Sequence, residues 1–190
     1  MDVVDLDRRA AAGMAAVLAS TGRHQYDAPT PCPAWTVRDL IAHVLAGVAK
    51  YGEIAAGGNW TRGAPEVDLP DDPASVYRPS VEAMLHAWAQ AGVLDREIDL
   101  PVGRGRAEAA LYIHLGETLV HAWDLARATG QELIVEPAVA EASLAQFMTW
   151  LPPQRPEGTP FADARSLDGD ATPIDRLAAY LGRDVQAWPG

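Results

Sequence analysis

A glutamate and a histidine lie four positions apart in a stretch that otherwise has the apolar pattern of a buried helix. They are Glu117 and His121, in the segment GETLVHAWD at 116–124. On an α-helix, side chains four residues apart share one face, with about 5–6 Å between their Cβ atoms. An unpaired charge among leucines is costly. A shared metal ion is one explanation, and an exposed ion pair or hydrogen bond is the other.

A metal site needs further ligands, and the spacing of the histidines limits the choice. His114 lies seven residues before His121, about 10 Å along a helix axis, so the two do not easily share one ion. A third ligand is therefore expected from another helix, and His43, beside the apolar stripe of its own helix, is the best candidate. Two histidines and one glutamate leave a coordination position open, as in catalytic zinc sites. Zinc is favoured, with nickel or iron as alternatives.

The other residues with reactive or aromatic side chains are interpreted as structural. Cys32 lacks a clear helix N-terminus that would lower its pKa. The expected roles are surface or packing positions for His24 and His86, a core or second-shell position for His114, a small structural thiol for Cys32, and core positions for Trp35, Trp88 and Trp123. A pocket lining remains the alternative for the three tryptophans.

Composition limits the class of protein. The chain has 190 residues, 48% hydrophobic and 22% charged, which fits one globular domain over 1–190. The formal net charge is −11, and the basic residues, fourteen arginines and Lys50, are scattered, so no nucleic-acid partner is expected. No secretory signal and no membrane span are expected, which predicts a soluble, cytoplasmic protein. The single Cys32 excludes an internal disulfide and a multi-cysteine zinc site.

Apolar periodicity predicts an all-α fold that would position these residues. Thr36 with Asp39 predicts a capping box at the start of the second helix, and Gly22 and Gly130 predict helix ends. A short extended excursion is expected over 95–108. The predicted helices span 3–20, 37–56, 73–92, 107–129, 137–151 and 172–183, and the inner face of the third comprises Val76, Val81, Met84, Leu85 and Trp88.

Three blocks of the sequence resemble a known group of proteins. They are TPCPAWTVRDLIAHV at 30–44, GETLVHAWDLARATGQ at 116–131 and ATPIDRLAAYLGRD at 171–184. Together they resemble the DinB-like superfamily, in its metal-binding branch related to the N-terminal domain of mycothiol-dependent maleylpyruvate isomerase. The resemblance implies a DinB-like four-helix bundle with additional short helices. It also implies a His-Glu-His metal site, carried here by His43, Glu117 and His121.

The resemblance further implies thiol chemistry. The expected protein binds a divalent metal and acts as a metal-dependent transferase or isomerase that activates a low-molecular-weight thiol, of the mycothiol type, toward a small electrophilic substrate. The alternatives are a non-catalytic metal-binding or stress-response module and a metal-free bundle for assembly. Asp124 or His114 is expected to hydrogen-bond to a ligating imidazole and so fix its tautomer and orientation. The separate C-terminal domain of the isomerase is expected to be absent, and a homodimer is left open.

Overall fold

The computed structural model describes residues 1–33, 35–61, 63, 66–100, 103–157, 159, 161–167 and 170–188. Parts of the predicted loops, including positions 101 and 102 of the extended excursion, lie outside the described residues. The helices are α1 (Val3–Ser20), α2 (Val37–Ala55), α3 (Pro73–Trp88), α4 (Glu108–Thr129), α5 (Pro137–Trp150) and α6 (Pro173–Tyr180). The predicted all-α fold class is confirmed.

Local side-chain chemistry sets the helix starts. The Thr36 hydroxyl accepts a hydrogen bond from the Asp39 backbone N–H (3.3 Å), and the Asp39 carboxylate accepts one from the Thr36 N–H (2.9 Å). This reciprocal pair satisfies two N–H groups that the first turn of α2 leaves unbonded. Thr172 caps α6 by accepting from the Asp175 N–H (3.3 Å), and its hydroxyl donates to the Asp175 carboxylate (2.7 Å). Both starts agree with the sequence analysis.

Three helix ends and one inward residue differ from the expectation. Helix α6 ends at Tyr180, three residues before the predicted end at position 183. The third helix ends at Trp88 rather than at Gly92, whose φ of +80° is incompatible with helix continuation. The C-cap of α1 is Thr21 rather than Gly22. Val76 is 42% exposed, because the inner face of α3 instead follows Ala74 and Tyr77. The remaining four predicted inner residues of α3 are buried as expected.

Packing places α4 at the centre of the molecule. Helix α1 contacts α4 and α3, α2 contacts α3 and α4, and the α5–α6 pair packs on the remaining side of α4. Leu111 and Leu125 of α4 belong to the core shared with α1, α2 and α3, whereas Leu119 and Trp123 belong to a second core shared with α5 and α6. A helix buried on several faces leaves few of its polar groups in water.

A two-stranded hairpin connects α3 to α4. Strands β1 (Glu97–Leu100) and β2 (Gly103–Arg106) pair antiparallel, with Glu97 opposite Arg106 and Leu100 opposite Gly103. Ile98 is buried against the bundle. The hairpin is the extended excursion that the sequence predicts. Among the described helices, none combines the length and apolar composition that a bilayer span requires.

A pair of glycine substitutions tests the tight contact between α4 and α5. A Cβ at Gly116 would lie 2.1 Å from Phe147 Cε2, whereas a Cβ at Gly52 of α2 meets no heavy atom within 4 Å. We expect Gly116→Ala to lower the free energy of unfolding by about 1–3 kcal/mol through overpacking. Gly52→Ala should raise it by roughly 0.5–1 kcal/mol, because alanine costs less backbone entropy in a helix. Urea unfolding measures both.

Partial recovery in the double variant Gly116→Ala, Phe147→Leu would assign the loss to the ring contact. Equal changes in stability from the two glycine substitutions would contradict the described packing.

Candidate metal centre

The site lies where α2 faces α4. The imidazole rings of His43, from α2, and His121, from α4, have centroids 5.0 Å apart in an edge-to-face arrangement. Trp35, in the segment that leads into α2, packs 4.3 Å from the His43 ring and 5.6 Å from the His121 ring. Trp35 therefore packs against two of the predicted ligands. Trp88 and Trp123 are buried in the core as expected, and Trp123 also borders a separate cleft.

A small, mostly apolar cavity joins the three residues that the sequence predicts as ligands. His43, Glu117 and His121 all line it, and its volume of about 20 Å³ is enough for one guest of the size of a water molecule. The other lining residues are Val44, Gly47, Val48, Tyr77, His114 and Thr118. His114 lines the same cavity as His121, although the rise of the helix separates the two residues by about 10 Å along its axis.

The Glu117 carboxylate has a partner on the neighbouring helix. The hydroxyl of Tyr51, a buried residue of α2, donates a hydrogen bond to Glu117 Oε2 (3.3 Å). Within the ranges that the structure describes, no three His, Cys, Asp or Glu side chains are placed so that together they could hold a metal ion. The three predicted residues nevertheless line one cavity. Their role as ligands stays a prediction.

His121 is oriented by a buried carboxylate. Its Nδ1 lies 3.0 Å from Asp124 Oδ2, one turn further along α4. Asp124 therefore occupies one ring nitrogen, and Nε2 is the nitrogen left for another partner. Arg183 donates to the same carboxylate through Nη2 (2.8 Å, to Oδ2) and Nε (3.1 Å, to Oδ1). Burial would raise the pKa of Asp124, but the hydrogen bond from His121 and the charge of Arg183 outweigh burial and hold the pKa below its usual value.

The spacing of His121 and Asp124 made this contact visible in the sequence, and Asp124 is one of the two partners that were expected. Arg183 was missed, because it lies 59 residues from Asp124 and only the folded chain brings the two together. No local pattern in the sequence distinguishes Arg183 from the other scattered arginines.

The His43 imidazole is neutral at physiological pH. Burial, followed by the nearby positive charges, lowers its pKa from 6.5 to about 3. A neutral imidazole has a lone pair available for a metal, whereas a protonated imidazole does not. Little proton competition at His43 is therefore expected above about pH 4.

A second carboxylate–imidazole pair lies deeper in the bundle. His114 Nδ1 is 2.6 Å from Asp7 Oδ2 of α1, and the Tyr51 ring packs 4.7 Å from the His114 ring. Burial lowers the pKa of His114, but Asp7 raises it more, so the pKa is above its usual value. His114 is buried, as expected, and His24 and His86 are exposed. Asp7 was missed, although its place between Val3 and Ala10 on the apolar stripe of α1 was a readable signal.

A larger cleft of about 690 Å³ lies between the end of α4 and the starts of α5 and α6. Its walls include Trp123, Arg127, Leu133, Ile174 and Asp175. None of the predicted ligands lines this cleft. We place the candidate site in the smaller cavity, because the imidazoles and carboxylates of the bundle meet there.

Comparison with known proteins identifies the family. The sequence profile described as the mycothiol maleylpyruvate isomerase N-terminal domain matches residues 8–126. The chain belongs to this family. The resemblance inferred from the three sequence blocks is thereby confirmed, and His43, Glu117 and His121 all lie inside the matched range.

Full-length relatives of this family member are found in two strains of Mycobacterium tuberculosis. Both are described as uncharacterized proteins and are 34% identical to the chain over 187 residues, which is 98% of this chain and 100% of theirs. Helices α5 and α6, which follow the range of the family profile, are thus included in the similarity to these relatives.

The solved structures that are similar share the fold. The crystal structure of the mycothiol-dependent maleylpyruvate isomerase matches with a TM-score of 0.55 and 18% identity, and a histidine-to-alanine variant of that enzyme matches with 0.55 and 17%. Each match covers 75% of this chain and 66% of the other, slightly less than two thirds of the enzyme's length. At this low sequence identity the similarity shows a shared fold and nothing further.

Substitution of Asp124 tests the buried support of His121. We expect Asp124→Asn to lower the free energy of unfolding by about 3 kcal/mol, because it leaves the buried charge of Arg183 without its counter-charge. The matched control is Asp184→Asn, which removes an exposed partner of Arg165 (3.0 Å) and should cost less than about 1 kcal/mol. Chemical denaturation measures both variants, and equal losses would contradict the buried ion pair.

Proposed function

We propose that this family member binds a divalent metal ion through His43, Glu117 and His121 and activates a low-molecular-weight thiol for reaction with a small electrophile. The observation that carries the proposal is the shared cavity: side chains from two helices, 74 or more positions apart in sequence, line one space of about 20 Å³. The reaction type that fits best is S-transfer or thiol-dependent isomerisation, in keeping with the names of the family and of the matched enzyme.

The chemistry of the donors fits a divalent ion. The His43 imidazole is neutral, the Nδ1 atom of His121 is occupied by Asp124, and Oε2 of Glu117 accepts from Tyr51. One imidazole nitrogen of His121 and one carboxylate oxygen of Glu117 are therefore left for an ion. Histidine ligands that donate their second N–H to a carboxylate are the rule in metal sites, and ligating carboxylates are usually hydrogen-bonded as well. Nitrogen and oxygen ligands favour zinc, with nickel or iron as alternatives.

The chain's own residues would orient the reactants. A bound divalent cation lowers the pKa of a coordinated thiol and so supplies a thiolate near neutral pH. Asp124 fixes the His121 ring, Tyr51 fixes the Glu117 carboxylate, and Trp35 covers one side of both imidazoles. Half-buried His43, Gly47 and Glu117 mark the side from which a thiol would approach.

A second candidate function is a non-catalytic metal-binding or stress-response module. The observation that favours it is the size of the cavity, which holds one water-sized guest rather than a substrate. In that case the metal would be bound, and thiols and electrophiles would not react faster in its presence.

Metal analysis tests the ligand set. Purified protein incubated with zinc and then desalted should hold about one ion per chain by elemental analysis. His43→Ala, Glu117→Gln and His121→Ala should each lower metal affinity by at least roughly tenfold, since each removes a ligand. His86→Ala is the matched control, because His86 is exposed on α3. Stoichiometric metal in the triple variant would overturn the site.

Turnover distinguishes the two candidate functions. Metal-loaded protein with mycothiol should consume an electrophilic acceptor faster than metal-free protein does, and maleylpyruvate is the first acceptor to test because the matched enzyme is named for it. Equal rates for the loaded and metal-free forms across a panel of acceptors would exclude the catalytic proposal and leave the binding module.

A further inference from the structure

The only lysine of the chain lies on the same helical stripe as the cavity. His43 and Gly47 of α2 line the cavity, and Lys50 follows on that stripe at the next turn. The Lys50 ammonium is 4.0 Å from the centroid of the Trp60 ring, and it donates a hydrogen bond of 2.8 Å to the Gly63 carbonyl oxygen. Two residues from the α2–α3 loop thus hold the cation in place without neutralising it.

Lys50 has no close counter-charge among the residues that the structure describes. Its ammonium makes no salt bridge there within 4.0 Å, although the described ion pairs involve many of the arginines. Burial lowers the pKa of Lys50, and the negative charge of Glu117 opposes this effect. The charge of Lys50 in turn contributes to the low pKa of His43. Lys50 therefore lies within electrostatic reach of two of the proposed ligands.

The charge balance of the occupied site would be positive. Ligating imidazoles are neutral, so a divalent ion with one carboxylate ligand, Glu117, retains one positive charge. Asp124 is already balanced by Arg183. Lys50, on the helical stripe of two lining residues, adds a second positive charge that interacts with Glu117. This local excess stands against a formal net charge of −11 for the whole chain, so it would attract anions that the rest of the surface repels.

We propose that Lys50 binds an anionic group, such as a carboxylate, on the ligand that docks at the cavity, and so makes the site selective for anionic ligands. This inference rests on the proposed metal-dependent thiol function. An ammonium has three N–H donors. One donates to Gly63, which leaves two for a ligand, and the Trp60 ring limits the positions that the flexible side chain can occupy.

A pair of small thiols that differ in charge tests the role of Lys50. Cobalt-substituted protein would be titrated with mercaptoacetate and with 2-mercaptoethanol, and thiolate binding followed by the charge-transfer absorption of the cobalt centre. In the wild type we expect mercaptoacetate to bind roughly tenfold more tightly, the effect of one charge pair partly screened by water. Lys50→Gln should remove most of this preference by lowering the affinity for mercaptoacetate more than that for 2-mercaptoethanol, which lacks the carboxylate. Lys50→Arg should retain most of the preference.

The matched control removes the same charge at a distance from the cavity. Arg127 also lies over an indole ring, that of Trp123 at 5.3 Å, and lines the separate cleft beside α6. Arg127→Gln should keep the preference for mercaptoacetate. A preference that persists in Lys50→Gln, or that disappears equally in Arg127→Gln, overturns the inference while the proposed function stands.

The wild type gives an independent measurement that needs no variant. Raising the ionic strength should weaken the binding of mercaptoacetate more than that of 2-mercaptoethanol, because salt screens the additional charge pair that the carboxylate makes at the surface. Equal salt dependence of the two thiols overturns the role of Lys50. If neither thiol binds to the cobalt protein, the proposed thiol function itself fails, and the inference fails with it.

Discussion

The burial of α4 is the constraint on which the rest of the structure depends. Because other helices cover this helix on several sides, each polar side chain on it needs a partner from elsewhere. Those partners come from different parts of the chain: Asp7 of α1 for His114, Tyr51 of α2 for Glu117, Asp175 of α6 for the Trp123 indole, and Arg183 for Asp124. The polar contacts of α4 thus link the bundle to the C-terminal helices, and the candidate centre lies within that network.

This arrangement explains why two histidines and a glutamate are tolerated inside an apolar helix. Each contact satisfies part of a buried polar group and fixes its orientation, so the Nε2 atom of His121 and one oxygen of Glu117 remain available at the same cavity. Side chains held in this way lose little further conformational entropy when they bind an ion. The contacts that stabilise the fold are therefore also the contacts that orient the side chains of the candidate site.

The sequence predicted the parts of this structure that depend on local patterns. Periodicity and caps identified the helices, and the four-residue spacing identified Glu117 and His121, because both signals act within a few turns. The predicted length of α3 and the predicted burial of Val76 were wrong, because the end of a helix and its rotation about its axis depend on tertiary packing. Arg183 could not be found, because its contact with Asp124 spans 59 residues. Asp7 could have been found as a charge on an apolar stripe.

The contact between Arg183 and Asp124 also bears on how the protein is made. The range that matches the family profile ends at position 126, yet the carboxylate that orients His121 is balanced by Arg183, which lies 57 positions beyond that range (183 − 126). During synthesis the helices that precede Arg183 emerge first and can begin to pack before Arg183 has left the ribosomal tunnel. The surroundings of His121 are therefore completed only after translation has passed position 183.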